Sequence, residues 1–304
     1  MLRLLAGLGT GFDCASHAEI TQVLEIGVSP TRIVFANPCK PTSFVRGAAR
    51  AGVDMMTFDN ADELYKVARA HPRAKLIVRI LTDDSRSLCR LGLKFGAPLA
   101  AVPGLLATAR GLGLDVIGVS FHVGSGCFDP DAFGDAVGRA RAAFEMGRTA
   151  GYRFTLLDVG GGFEDGEFER MAGVLRRAID VHFPDREKEG VRVIAEPGRF
   201  FVSRAFTLAA NIIARRVTEG GGEADSGETP SVMCECPVGD ARLWLTVFRL
   251  YQRRSVRVVQ LHPVRPPDGA ALCGDAGRFV RVGDGAGAGE TDVEQRVGAD
   301  VRLD

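Results

Sequence analysis

The sequence has no net charge and no apolar stretch long enough to span a bilayer. Its 304 residues include 38 basic and 38 acidic side chains, so charge gives no reason to expect nucleic acid or an acidic membrane as a partner. The apolar run at residues 1–6 is too short for a convincing signal peptide. We therefore expect a cytoplasmic protein.

The cysteines provide neither a disulfide framework nor a recognisable metal site. There are seven, an odd and scattered set that suits a reducing compartment. A zinc site could be drawn from Cys234, Cys236, His262 and Cys273, but their spacing matches no usual ligand pattern. We expect no metal.

One unit recurs from Gly9 to about Arg216: a short apolar strand, a polar or glycine-containing tip, and then an amphipathic stretch. Seven strands are predicted, at residues 11–14, 32–36, 55–58, 76–80, 116–121, 156–159 and 191–195. They alternate with predicted helices, as parallel βα folds require. One of these helices should begin at Asp59 as its N-cap and turn Ala61, Leu64, Tyr65 and Ala68 toward the core.

Seven βα units, with no dinucleotide fingerprint at the first turn, favour an α/β fold of the (β/α)8 barrel type that lacks its first βα unit. Residues 1–202 would form this incomplete barrel. In such barrels the chemistry lies at the carboxyl ends of the strands, and polar tips occupy those positions here: Asp13, Asn37 with Lys40, Asp59, Arg79, His122 with Ser125, Gly160 to Gly162, and Glu196 with Arg199.

Three consecutive glycines, Gly160, Gly161 and Gly162, follow a short apolar strand. Residues without a Cβ let the backbone pass close to a ligand and turn its N–H groups toward an anion. Ser125 adds a hydroxyl and Arg199 a permanent positive charge with fork geometry, which together suit a phosphate monoester. The plainer interpretation of the glycines is a sharp turn between a strand and a helix, and both interpretations stay open.

His122 and Glu196 are the candidate catalytic residues. A histidine at a strand end is usually a structural hydrogen bonder, but its flat ring could also stack on an aromatic cofactor. Glu196 could face inward or pair with the arginine three residues later. A phosphate clamp, a stacking ring and an inward carboxylate together describe a site for pyridoxal phosphate. Asp13, Glu19 and Arg79 could order these groups, although Glu19 could equally face solvent.

Seven runs carry a resemblance to a known family: FDCAS (12–16), ANPCK (36–40), MMTFD (55–59), TDDS (82–85), FHVGSGC (121–127), LDVGGGF (157–163) and AEPGR (195–199). Over roughly residues 1–217 the chain closely resembles eukaryotic, especially fungal, ornithine decarboxylases. These belong to the ornithine, diaminopimelate and arginine decarboxylase group, whose members pair an alanine-racemase-type barrel with a C-terminal β-domain.

The resemblance implies that the cofactor is pyridoxal 5'-phosphate. Glu196 would pair with the pyridine nitrogen and His122 would stack on the ring. The full set of implied cofactor-binding residues is Asp13, Glu19, Arg79, His122, Ser125, Gly160, Gly161, Gly162, Glu196, Gly198 and Arg199. Lys94 looks like a position that makes a dimer contact in the family.

Two parts of the family pattern are not found. The lysine that binds the cofactor covalently lies in a Tyr-Ala-Val-Lys-type run, and none of the five lysines here (Lys40, Lys66, Lys75, Lys94, Lys188) is in such a run. After Met233 the family's catalytic Cys and Asp segments are replaced by an unrelated sequence, with Cys273-Gly274-Asp275 only a faint echo. We expect gene-model faults at both ends and an inactive chain as written.

Residues 203–304 are expected to be a degraded remnant of the β-domain with a low-complexity, disordered tail. We find no strand or helix period beyond roughly Arg257.

The function implied by the resemblance is decarboxylation of ornithine to putrescine by a homodimer, in polyamine biosynthesis. The alternative is an inactive regulatory protein that resembles the antizyme inhibitors and binds antizyme. The missing lysine favours the alternative, and the retained pocket residues favour the enzyme. A small carrier of pyridoxal phosphate is a third, weaker interpretation.

Overall fold

The computed structural model describes residues 1–202 with their side chains, and beyond them only the backbone of five strands. The α-helices are α1 Leu2–Gly7, α2 His17–Glu25, α3 Thr42–Ala51, α4 Ala61–Ala70, α5 Val102–Gly111, α6 Asp131–Thr149, α7 Phe168–His182, α8 Arg186–Glu189 and α9 Gly198–Val202. Short 3-10 helices are at Pro30–Arg32, Leu99–Ala101 and Asp165–Glu167. None of the helices in the described part of the chain is long and apolar enough to cross a membrane.

Seven strands form one parallel sheet in the order β1-β2-β3-β4-β6-β8-β9. They are β1 Phe12–Cys14, β2 Ile33–Phe35, β3 Met55–Phe58, β4 Lys75–Arg79, β6 Asp115–Ser120, β8 Leu156–Asp158 and β9 Arg192–Ile194. All seven predicted strands are confirmed. A separate antiparallel pair, β5 Ser87–Cys89 with β7 Ser125–Cys127, lies in the connections after β4 and β6.

Alternation along the strands sends side chains to two faces of this sheet. Leu76 and Val78 of β4 join the main core beneath the helices, whereas Ile77 belongs to a smaller apolar cluster with Val34 and Leu156. Arg79 and Asp158 have the same parity as Ile77 and Leu156. The strand period therefore places both charged residues on the face that carries the smaller cluster.

Helix α4 does not begin as the sequence predicted. Its N-cap is Asn60, whose Oδ1 accepts the N–H of Glu63 at 2.9 Å, so the assignment of Asp59 as the N-cap is wrong. The Asp59 carboxylate instead accepts the N–H of Gly96 at 2.8 Å. Leu64 is buried as predicted, but Tyr65 is exposed, because the face that packs on the core passes through positions 64 and 67 and leaves position 65 outside it.

The chain divides into two compact units, Met1–Ser203 and Arg204–Asp304. In the second unit five strands form an antiparallel sheet in the order β12-β11-β10-β14-β13. They are β10 Ala209–Thr218, β11 Thr229–Val238, β12 Ala241–Val247, β13 Val258–Val259 and β14 Phe279–Arg281.

Strands β13 and β14 lie beyond Arg257, where the sequence shows no strand period, because two and three residues are too few for a period to be visible. The predicted disordered tail, the side chains of Cys234 and Cys236, and the sequence around His262 and Cys273 lie outside the described residues.

Candidate active site

The carboxyl ends of four strands are aligned at one edge of the sheet. Arg79, the last residue of β4, is paired in register with Ser120 of β6; Ser120 is paired with Asp158 of β8, and Asp158 with Ile194 of β9. His122 and Glu196 follow two residues after Ser120 and Ile194. The register therefore gathers the predicted strand-end residues in one place, as expected for the carboxyl edge of parallel strands.

The three glycines turn tightly beneath this edge. Gly160 and Gly162 have φ angles of 62° and 102°, which favour glycine. A Cβ on Gly161 would lie 2.9 Å from His122 Nε2 and 2.8 Å from the backbone oxygen of Glu196. The His122 ring thus lies directly against the glycine turn, in a space that only a residue without a side chain leaves open.

The phosphate-site candidates also come together. Both Nε and a terminal nitrogen of Arg199 donate to Ser125 Oγ, at 3.2 and 3.1 Å. Ser125 begins β7, and the N–H of Cys127 in the same strand donates to the backbone oxygen of Gly162 at 3.4 Å. A hydroxyl, a guanidinium and the glycine turn therefore surround one small region. Gly198, the first residue of α9, lies next to Arg199 in the chain.

Arg199 has a carboxylate partner that the sequence did not predict. Its Nε lies 3.4 Å from Glu164 Oε1, in the segment just after the glycine turn. The salt bridge considered between Glu196 and Arg199 is therefore replaced by one between Glu164 and Arg199. Glu196 is left to face the other acids.

Two acids meet at the centre of the site. Asp158 is fully buried, and its Oδ1 accepts the N–H of Gly160 at 2.9 Å. Asp158 Oδ2 and Glu196 Oε1 are both buried, and neither has a hydrogen-bond donor among the described side chains and backbone. Burial, followed by the Asp158 carboxylate, raises the pKa of Glu196 well above its ordinary value. Burial likewise raises the pKa of Asp158 to about 6.

Arg79 and Asp13 complete the charged group. Burial lowers the pKa of Arg79, while the nearby carboxylates, Glu196 first among them, act in the opposite direction. Desolvation by the surrounding protein, and then the negative charge of Asp158, raises the pKa of Asp13 to about 7. Because the Asp13 side chain is open to solvent, water screens its charge, and we expect Asp158 to influence Glu196 more strongly.

His122 is held as a neutral ring. Its Nδ1 accepts the N–H of Gly124 at 3.0 Å, which leaves the proton on Nε2, the nitrogen nearer to Gly161. Burial, and then the positive charge of Arg79, lowers the pKa of His122 to about 3. Its backbone oxygen accepts from Thr82 Oγ1 at 3.0 Å. A flat, uncharged ring, held by one hydrogen bond at Nδ1 and by another at its backbone oxygen, suits contact with another aromatic ring.

Glu19 lies at the margin. It is exposed, and its Oε2 accepts the N–H of Ala15 at 2.6 Å while its own N–H donates to Ser16 Oγ at 3.3 Å. Ser16 is thus the N-cap of α2, and Glu19 reaches back to the residue before that cap, one position short of a capping box. The negative charge of Glu19 nevertheless adds to the groups that raise the pKa of Asp13.

The lysines occupy other places. Lys40, counted with the rim residues in the sequence, is buried, and its Nζ contacts Glu63 Oε1 at 2.9 Å. Lys66 pairs with the same glutamate, and Lys188 of α8 pairs with Asp185, the residue directly before that helix. Lys75 begins β4, at the end of the strand opposite to Arg79. Lys94 is exposed in the segment before α5.

Asp158 and Glu164 are the site residues that sequence reasoning missed. Asp158 carried a detectable signal, since it is a carboxylate that ends a buried apolar strand directly before three glycines. Glu164 carried no such signal, because its partner Arg199 follows it by 35 residues (164 to 199).

These residues lie in a segment that matches a known family over most of its length. The family model for the pyridoxal binding domain of pyridoxal-dependent decarboxylases matches residues 1–203. The chain belongs to this family. Ornithine decarboxylase of Neurospora crassa is 56% identical over 250 residues, which are 81% of this chain and 51% of that protein. Antizyme inhibitor 2 of Xenopus laevis is 53% identical over 224 residues, 72% of this chain and 49% of that protein.

The arginine decarboxylase of Paramecium bursaria Chlorella virus, solved with agmatine, has the same fold. Its TM-score is 0.65 at 40% identity, covering 72% of this chain and 60% of that one. The predicted resemblance and the predicted barrel-type fold class are thereby confirmed. The chain spans about half the length of the curated relatives it matches.

The residues present fit pyridoxal phosphate. The buried Glu196 Oε1 is an acceptor without a donor among the described residues, which suits a protonated ring nitrogen. The glycine turn leaves a space that any Cβ would fill, and Arg199 with Ser125 offers donors suited to a phosphate.

Proposed function

We propose that the protein to which these residues belong decarboxylates L-ornithine to putrescine, with pyridoxal phosphate as cofactor. The observation that carries the proposal is the buried Glu196 oxygen, which has no donor within residues 1–202 and faces a site that also contains a glycine turn and an arginine. The preference for ornithine is supported by the identity of 56% to the Neurospora crassa ornithine decarboxylase.

Each side chain would have a distinct task. Arg199, Ser125 and the N–H groups of Gly160, Gly161 and Gly162 would hold the phosphate. His122 would lie against the ring, where its neutral state avoids repulsion with a protonated ring nitrogen. Glu196 would accept a hydrogen bond from that nitrogen. When bound, pyridoxal phosphate supplies an electron sink for the electron pair left behind as carbon dioxide departs.

Asp13, Arg79 and Glu19 would support this centre without holding the phosphate. The positive charge of Arg79 offsets the crowded carboxylates, as its influence on the pKa of Asp158 and of Glu196 indicates. Asp13 adds a negative charge at the open side, and Glu19 acts through Asp13.

The proposal includes a cytoplasmic homodimer, with Lys94 at the contact between subunits, in polyamine biosynthesis. It also includes weak or no turnover by the 304-residue chain alone. Lys40, Lys66 and Lys188 are held in ion pairs and Lys75 begins its strand at the opposite end, which disfavours covalent attachment of the cofactor to these four.

The test has two parts. The 304-residue chain should bind pyridoxal phosphate, seen as a change in cofactor absorbance, without a borohydride-stable link to those four lysines. The product of the full-length transcript should release carbon dioxide from carboxyl-labelled ornithine faster than from arginine or lysine. A preference for arginine or lysine would overturn the substrate assignment.

An antizyme-binding regulator is the second candidate, favoured by the 53% identity to an antizyme inhibitor. The discriminating measurement is affinity for purified antizyme, compared with carbon dioxide release by the same preparation. Tight antizyme binding with no release of carbon dioxide from any of the three amino acids would favour the regulator.

A further inference from the structure

The carboxyl group of Asp158 and the backbone of Glu196 are connected through one residue, Gly160. Gly160 donates its N–H to Asp158 Oδ1 at 2.9 Å, and its backbone oxygen accepts the N–H of Glu196 at 2.7 Å. Each of the two side chains also affects the pKa of the other as a hydrogen-bonding neighbour. Their spacing is therefore set by the glycine turn.

Two ionised carboxylates cannot make this contact, because each offers only acceptors. Asp158 Oδ2 and Glu196 Oε1 have no donor among the described residues, so a proton on one of the two groups is the donor that their contact requires. Two carboxyl groups buried close together also share one proton because burial and mutual repulsion disfavour two negative charges.

The groups around the pair favour retention of that proton. Asp13 from β1, with Glu19 of α2 beside it, adds negative charge. Arg79 at the end of β4 adds one positive charge, which Asp59 after β3 also faces. His122, after β6, is uncharged in this setting.

We propose that Asp158 is a positioning residue that shares one proton with Glu196 and so makes Glu196 the proton donor to the cofactor ring nitrogen. This rests on the proposed pyridoxal phosphate site. In the step, the O–H bond of the Asp158–Glu196 pair breaks and an N–H bond forms on the ring. After transfer, the two carboxylates of the pair face two positive charges, the ring nitrogen and Arg79.

Asp158→Asn is the informative change. The amide oxygen keeps an acceptor for the N–H of Gly160, and the amide nitrogen offers Glu196 a donor that carries no negative charge. Glu196 then becomes less basic, and its interaction with a protonated ring nitrogen weakens.

The experiment compares two probes of the 304-residue chain: pyridoxamine 5'-phosphate, and its 1-deaza analogue with carbon in place of the ring nitrogen. Neither has an aldehyde, so binding needs no covalent lysine. We expect Asp158→Asn to reduce the preference for the nitrogen-containing ring about tenfold, which corresponds to one pKa unit. Asp115→Asn, at the opposite end of β6, is the matched control and should leave the preference unchanged.

An equal loss of affinity for both probes would mean that Asp158 only supports the fold, and would overturn the proposal. Failure of the unsubstituted chain to bind either probe would instead overturn the proposed cofactor site.

A second measurement needs no ligand. The unsubstituted chain at neutral pH should show the infrared band of a buried protonated carboxyl group, and Glu196→Gln should lose it. Absence of that band from the unsubstituted chain would contradict the shared proton even if Asp158→Asn did not fold.

Discussion

Two buried clusters of charge lie in the same sheet-and-helix unit and are completed in opposite ways. Lys40 meets Glu63 Oε1 at 2.9 Å and the backbone oxygens of Asn37 and Thr57 at 2.8 and 2.6 Å, and Lys66 meets Glu63 Oε2 at 2.6 Å. Every charge in this cluster therefore touches an opposite charge from the protein itself.

The second cluster, at the carboxyl edge of the sheet, is left incomplete within the described residues. Asp158 and Glu196 each have a buried oxygen without a donor there, and four carboxylates (Asp13, Asp59, Asp158 and Glu196) surround Arg79. Burial of such groups costs stability that the fold does not recover on its own. The comparison teaches that buried charge satisfied within the protein serves the fold, whereas buried charge left unsatisfied indicates a site for a ligand.

The largest expected effect is on the first cluster. Glu63→Gln should lower the free energy of unfolding by about 3–5 kcal/mol, because it leaves the buried ammonium of Lys40 without its counter-charge. Urea unfolding followed by circular dichroism measures this. Glu145→Gln, which removes surface pairs with Arg141 and Arg148, is the control and should cost no more than about 1 kcal/mol. Equal costs for the two would contradict the structural role of Lys40 and Glu63.

The second cluster should respond in binding more than in stability. Arg199→Ala should weaken pyridoxamine 5'-phosphate binding by about 10–100-fold, since a hydrogen bond to a charged group contributes about 1.5–3 kcal/mol. A fluorescence titration measures the change. Arg170→Ala, which breaks an exposed pair with Glu167, should leave affinity unaltered. An Arg199 variant that bound as tightly as the unsubstituted chain would remove the phosphate assignment.

The glycine turn separates the two kinds of effect further. Gly161→Ala should lower the free energy of unfolding by about 1–3 kcal/mol, because its Cβ would press on His122 and on the backbone of Glu196. Gly104→Ala is the matched control: it lies in helix α5 with nothing within 4 Å of its Cβ, and should raise stability by about 0.5–1 kcal/mol. Thermal unfolding of both variants provides the comparison. An unchanged stability of Gly161→Ala would mean that the turn has room for a Cβ at this position.

The last prediction concerns how the free energy of unfolding depends on pH. The pKa of His122 is lowered to about 3 in the fold, so between that value and about 6.5 the unfolded chain binds the extra proton and acid destabilises the protein. The raised pKa values of Asp13 and Asp158 act with the opposite sign, since there the folded state binds more protons up to about pH 6–7.

His122→Gln removes only the first of these contributions. The free energy of unfolding at pH 5, relative to that at pH 7.5, should therefore be higher in the variant than in the unsubstituted chain, as measured by urea titrations at the two pH values. The same difference between the two pH values in both chains would indicate that His122 titrates normally in the fold.

Much of the fold and part of the site follow from local pattern. The apolar runs predicted seven strands in the correct places, because each strand of a parallel sheet is buried on both faces and is bounded by polar or glycine residues. The same runs placed His122, Arg79 and Glu196 at strand ends. The N-cap of α4 was missed by one residue, since Asp59 and Asn60 are both good caps and only the contact with Gly96 distinguishes them.

The sequence by itself determined which polar residues stand at the ends of strands, because two-residue alternation and glycine chemistry are local properties of the chain. Only the tertiary structure decided how those residues are paired. Lys40 pairs with Glu63, Arg199 with Glu164, and Asp158 with Glu196. The partners are 23, 35 and 38 residues apart in the chain, counted from the residue numbers. Such pairings depend on strand register and on burial, and these arise only when the sheet is assembled.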